Sequence, residues 1–104
     1  MLGNGPFSAT GLGTDSGATA TMAADTYQRF VVTNISGHVD ADSVLTIESP
    51  ASTVLWESKI DVSVEGFSFD FNPCIPTVAV NTAILGKLAS SSADCQVTIS
   101  GYVL

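Results

Sequence analysis

The sequence predicts an all-β protein, a single small antiparallel β-sandwich or jelly roll of seven to eight strands with an irregular N-terminal arm. Three observations predict it. Period-2 alternation runs through the second half of the chain, most clearly in Phe67-Ser68-Phe69-Asp70-Phe71, where three aromatics share one face of extended backbone. Turn-forming residues interrupt such runs at intervals of about ten residues, the spacing of a sandwich or barrel. Finally, 104 residues with 45% hydrophobic content suit one folded domain and argue against disorder.

Taken in order, residues 1–16 are rich in glycine (Gly3, Gly5, Gly11, Gly13), contain Pro6 and lack periodicity, so the chain divides into an arm, 1–16, and a sandwich, 17–104. The arm reads either as a frayed terminus or as a segment that orders on a neighbour through Leu2, Phe7 and Leu12. Ala18–Ala23 is a short strand. In Tyr27–Ile35, Phe30 and Val32 share one face, with Val31, Thr33 and Ile35 on the other. Ser36-Gly37-His38 breaks that run. Val44–Ser49 carries Leu45 and Ile47 as its apolar pair and ends at Pro50. In Val54–Ile60, Val54, Trp56 and Ile60 oppose Glu57 and Lys59. The aromatic strand Phe67–Phe71 follows. Two prolines forbid regular pairing in Asn72-Pro73-Cys74-Ile75-Pro76, which reads as extended or turned. Val78–Leu88 is a kinked strand or, over Asn81–Leu88, a short helix. The last strand places Cys95, Val97, Ile99, Gly101 and Val103 inward and Gln96, Thr98, Ser100 and Tyr102 outward. The expected core is Phe30, Val32, Trp56, Phe67, Phe69, Phe71, Val97 and Ile99.

Composition narrows the function. Charged residues are 12% of the chain, about half the usual share. Such a surface belongs either to a Ser/Thr-rich sandwich or to a subunit buried in an assembly, where charges would have to be desolvated. The net charge of −7, with Arg29, Lys59 and Lys87 standing apart, argues against nucleic acid and anionic membranes as partners. No run approaches the ~20 apolar residues of a transmembrane helix, and the N-terminus has no secretory pattern, so the expectation is a protein made in the cytosol and kept there or released by lysis.

Little in the chain suggests catalysis. Cys74 and Cys95 are spaced too widely for a metal knuckle, and His38 is the single histidine, so no structural zinc set is expected. The two cysteines could form a disulfide closing a loop of about 20 residues, or remain buried thiols in a reducing compartment. His38-Val39-Asp40-Ala41-Asp42 reads as a solvated turn, since a calcium loop needs more oxygens. No serine has a base beside it in sequence, and Asp61 and Glu65 read as solubilising. Gly11-Leu12-Gly13 belongs to no nucleotide fingerprint. Trp56 reads as core, with a carbohydrate platform as the alternative. No enzyme activity, cofactor or metal is expected.

From Tyr27 to Leu104 the order of elements resembles small all-β virion proteins of tailed bacteriophages. The resemblance lies in Ile35-Ser36-Gly37 at a strand end, the Leu45–Pro50 and Thr53–Trp56 pair, and the aromatic strand running into Asn72-Pro73. Asn81–Ala83 and a final strand ending in Gly101-Tyr102 complete it. It implies a jelly-roll-like decoration or cement protein on the outer capsid surface, without catalytic residues. Its partner would be the major capsid protein, with the chain itself a homo-oligomer, dimer or trimer, at a symmetry axis. The cysteines are not part of this pattern. A receptor- or glycan-binding module of a tail fibre or surface appendage is the alternative.

Overall fold

Eight strands and no helix make up the described residues of the computed structural model, which are 5–13, 17–61, 66–76, 80–89 and 95–103. The strands are β1 (Pro6–Gly13), β2 (Ala18–Met22), β3 (Phe30–His38), β4 (Ser43–Glu48), β5 (Val54–Ile60), β6 (Gly66–Pro76), β7 (Ile84–Ala89) and β8 (Cys95–Val103). They form two antiparallel sheets in the orders β1-β8-β3-β6 and β2-β7-β4-β5. Every connection except the β4–β5 hairpin passes from one sheet to the other, which is jelly-roll connectivity. Each strand has one apolar face, and facing sheets are how such strands bury it.

The core lies between the sheets. Ala20, Val32, Ile35, Leu45, Ile47, Ile84, Val97 and Ile99 are fully buried, with Phe30 and Leu88 beside them. Leu45 and Ile47 on β4 face inward as expected, and β8 alternates as expected. Four of the expected core residues sit differently: Trp56, Phe67, Phe69 and Phe71 are only half-buried, packed against the margin of the core. The reason is that β5 and β6 are the outermost strands of their sheets on the same flank.

Several expectations are corrected. Residues 6–13 are not an arm. They form β1, paired with β8 from Pro6↔Tyr102 to Gly13↔Cys95. Glycine there serves close packing: a Cβ on Gly11 would run into the backbone carbonyl of Thr19 on β2, and one on Gly13 into that of Gly17. The sandwich therefore includes residues that the 1–16/17–104 division assigned to the arm, while residues 1–4 and 14–16, Leu2 among them, lie outside the described residues.

In β3 an extra residue lies between Val32, paired with Gly101, and Asn34, paired with Ser100. This bulge at Thr33 turns Ile35 onto the face of Phe30 and Val32 instead of the opposite one. A second irregularity separates Ile47↔Trp56 from Glu48↔Val54, so Val54 parts from the inward face of Trp56 and is 50% exposed. The proline segment is strand after all: β6 runs through Pro73 to Pro76, with Val31↔Pro76 and Val32↔Ile75. An edge strand tolerates prolines because one side of it has no ladder to complete. The segment Ile84–Ala89 is a strand, not a helix.

Candidate interaction surfaces

Two surfaces stand out. The first is the outer face of the β1-β8-β3-β6 sheet. Strand registers align its side chains into rows four strands wide: Thr10, Thr98, Ser36 and Ser68 in one, Ser8, Ser100, Asn34 and Asp70 in the next. Hydroxyls and amides dominate, and many bond to one another. Thr10 and Thr98 share a hydrogen bond between their Oγ1 atoms at 2.9 Å. The Asn34 amide donates to Ser68 Oγ (3.0 Å) and Asp70 Oδ1 (2.7 Å). Asp70 is the one carboxylate in these two rows, and it already holds a donor. Leu12, 76% exposed, and His38 lie in the row at one rim, which reads Leu12, Gln96, His38, Gly66.

The second surface is the end of the sandwich reached by the β2–β3, β4–β5 and β6–β7 connections. Tyr27 (86% exposed), Val54, Leu55, Val80 and Tyr102 are exposed there, all at the same end of the strands. Hydrogen bonds knit these connections together. The Tyr27 N–H donates to Asp25 Oδ1 (3.1 Å), an Asx turn. Asn81, at φ 57°, donates its N–H to the Asp25 carbonyl (2.9 Å), joining the first connection to the third. Ser49 Oγ donates to the Ala83 carbonyl (2.8 Å), joining the second to the third. Within the hairpin, the buried Glu48 carboxylate accepts from Ser52 N–H (2.7 Å) and Thr46 Oγ1 (3.0 Å). At the opposite end, Asp40, Asp42 and Asp61 follow the strands.

The residues singled out in the sequence fall as follows. Phe7 is not a free anchor: its ring packs edge-on to Phe30 with centroids 5.7 Å apart, so it belongs to the sandwich. Leu12 is exposed on β1. Trp56 packs on Phe69 (5.1 Å) and Phe71 (5.0 Å), which makes it a wall residue of the β5/β6 flank and no open platform. Cys95 is buried at the start of β8, opposite Gly13. Of the two readings the sequence leaves open for the cysteines, the disulfide is the one the backbone registers do not accommodate. Gln96 pairs with His38, whereas Cys74 precedes Ile75, which pairs with Val32. About six residues along the strand, at ~3.3 Å each, separate the two levels, roughly 20 Å against the ~7 Å limit for a bridged pair. The side chain of Cys74 lies outside the described ones. Among the described residues no three His, Cys, Asp or Glu side chains gather as a metal site.

The signal for the hydroxyl face was present in the sequence as the polar partners of each alternating strand. What concealed it was β1, because a glycine-rich strand looks like a loop until a second backbone is seen against it.

Fold and registers together define an eight-stranded antiparallel sandwich of jelly-roll connectivity. No protein-family model matches the sequence, and no curated protein matches it. Among solved structures it is similar to a chain of the virus-like particle of extra small virus from the giant freshwater prawn Macrobrachium rosenbergii. The match has 8% identity over 99% of this chain and 80% of that one, at a TM-score of 0.38. That neighbour comes from a viral capsid, though not from a tailed bacteriophage, and a likeness this distant bears no weight on function.

Proposed function

We propose that this protein is a structural component of a virion, a decoration or cement protein of a tailed bacteriophage that binds the outside of the capsid and bridges adjacent major capsid subunits. The observation that carries the reading is the hydroxyl-and-amide face of the β1-β8-β3-β6 sheet. A face with one carboxylate in its two central rows can be laid against another subunit without desolvating many ions. Neutral hydroxyls exchange water for partner groups, directly or through bridging water. Each contact is modest, and repetition over a symmetric shell makes the sum strong. Synthesis in the host cytoplasm and residence on the outer surface follow from this reading.

The test is fractionation of particles on a density gradient, followed by titration of the pure protein onto undecorated heads. The expected result is a fixed stoichiometry with the shell. Ser100→Lys, which puts a charge in the middle of the face, should abolish binding while leaving the melt unchanged. Recovery of the protein only in the soluble fraction would overturn the reading.

A receptor- or glycan-binding module is the second reading, and Tyr27 favours it. Its ring is 86% exposed beside Asp25, on connections fixed by hydrogen bonds. Glycan binding lost on Tyr27→Ala, with no binding to heads, would select this reading over the first.

A further inference from the structure

A sandwich has four outer strands, and each must keep other chains from its unpaired backbone. In this protein three are managed. Strands β1 and β2 back onto each other, with Gly11 and Gly13 set against the carbonyls of Thr19 and Gly17. Strand β6 carries Pro73 and Pro76, and four of its residues, 71–74, stand opposite Thr33 alone. Prolines and bulges both spoil an edge for further pairing. Strand β5 has neither from Trp56 to Ile60. It pairs regularly with β4 from Ser43↔Ile60 to Ile47↔Trp56, and its other side meets no strand of its sheet.

The side chains on that strand are self-complementary. Glu57 and Lys59 are exposed on the outer face. Across β4 they meet Thr46 and Val44, so neither faces an opposite charge on the neighbouring strand. We propose that β5 pairs antiparallel with β5 of a second copy about a two-fold axis through Ser58, joining two four-stranded sheets into one of eight. In this register Glu57 of each copy faces Lys59 of the other, twice. On the inner side Trp56 faces Ile60, also twice. The neighbouring registers are unfavourable. An axis through Glu57 sets the two Glu57 carboxylates face to face. An axis through Lys59 opposes the two ammonium groups and places Glu57 against Asp61. Odd registers would mix inner and outer faces. Opposite charges across strands stabilise a pair and like charges oppose it, so the charge pattern selects both the partner and the alignment. The dimer is a property of the free protein and stands independently of any capsid.

The test is sedimentation equilibrium of the full chain at low salt, with variants Glu57→Lys, Lys59→Glu and the double exchange. The wild type should be a dimer. Each single reversal sets like charges opposite each other at two places and should weaken the dimer by about tenfold or more. The double exchange restores opposite pairs and should recover the wild-type constant. High salt should shrink these differences. A wild type that stays monomeric at about 100 μM would overturn the proposal. So would a dimer that ignores both reversals, or a double exchange as weak as the singles. Should a reversed variant fail to fold, Ser58→Cys in the wild-type background settles the register. Opposed positions lie about 5 Å apart, so a short bis-maleimide should link two copies through residue 58. A folded Ser58→Cys protein that gives no link overturns the two-fold at that residue.

Discussion

The two flanks of this sandwich are closed by opposite means. Along β1 and β2 the sheets meet backbone against backbone, and glycine at 11 and 13 leaves room for the carbonyls of Thr19 and Gly17. Along β5 and β6 side chains fill the gap: Trp56 lies on Phe69 and Phe71, and Phe67 lies against Phe69 at 6.2 Å. A flank closed by backbone has no side chain that can give way, whereas a flank closed by half-buried rings can repack. Among the described residues, the second arrangement also leaves the outer side of β5 with no strand paired to it. Closure by glycine thus secures one pair of edges, and closure by aromatics leaves an edge open for association.

The sharpest break of this comparison removes the glycine flank altogether. Deleting residues 2–13 takes away β1, and with it the ring set edge-on to Phe30 and one of the two strands that pair with β8. Phe30, Val97 and Ile99 would then be uncovered, and no cooperative thermal transition is expected by circular dichroism. A truncated chain melting within about 5 °C of the full one would show that β1 contributes less than ~1 kcal/mol.

A single atom group should do much of the same damage. Gly11→Val introduces a Cβ where the Thr19 carbonyl already stands, and neither backbone can swing aside. Overpacking of this kind costs typically 1–3 kcal/mol, and the absence of any flexible neighbour puts this site near about 3. Thermal melts should fall by about 15 °C. An unchanged melt would mean that the sheets separate at little cost on this side too.

These two sites also mark where the sequence was readable and where it was not. Alternation identified β4, β8 and the inward face of the aromatic strand, because in those strands large side chains mark the buried side. It failed at β1, where the inward residues after Phe7 are Ala9, Gly11 and Gly13, whose small size is the packing device itself. It assigned Ile35 to the wrong face because a bulge at Thr33 shifts the period, and no residue type announces a bulge. The prolines of β6 looked like a break because edge position, which excuses them, is a tertiary property. The hydroxyl face could be read strand by strand, but its width depends on the β1-β8-β3-β6 order, which the sequence does not state.

On the aromatic flank the expected losses are smaller. Phe69→Ala removes a ring that contacts both Trp56 and Phe67 but is only half-buried. Full burial would make the cost about 3–5 kcal/mol, and partial exposure reduces it to about 2. Because Trp56 is the sole tryptophan, its emission should shift to the red as water reaches the indole. A loss as large as that of Gly11→Val would erase the contrast between the flanks.

The smallest effect is expected from Leu12→Ser. This side chain belongs to the glycine flank by sequence, yet it projects from the outer face of β1 and is 76% exposed, next to Gln96 across the strand pair. Removing it uncovers no core atom and leaves the backbone pairing with β8 in place, so stability should change by less than about 0.5 kcal/mol. The rigidity of this flank resides in its backbone contacts, and an outward side chain has no share in them. Chemical denaturation with matched slopes is the measurement, since a shift of midpoint alone then reports stability. Binding to undecorated heads should be measured on the same samples. Weakened binding with an unchanged midpoint would make Leu12 a contact at the rim of the hydroxyl face. A drop of more than about 1 kcal/mol in stability would instead show that Leu12 is covered in solution, and the flank would then owe part of its firmness to a side chain after all.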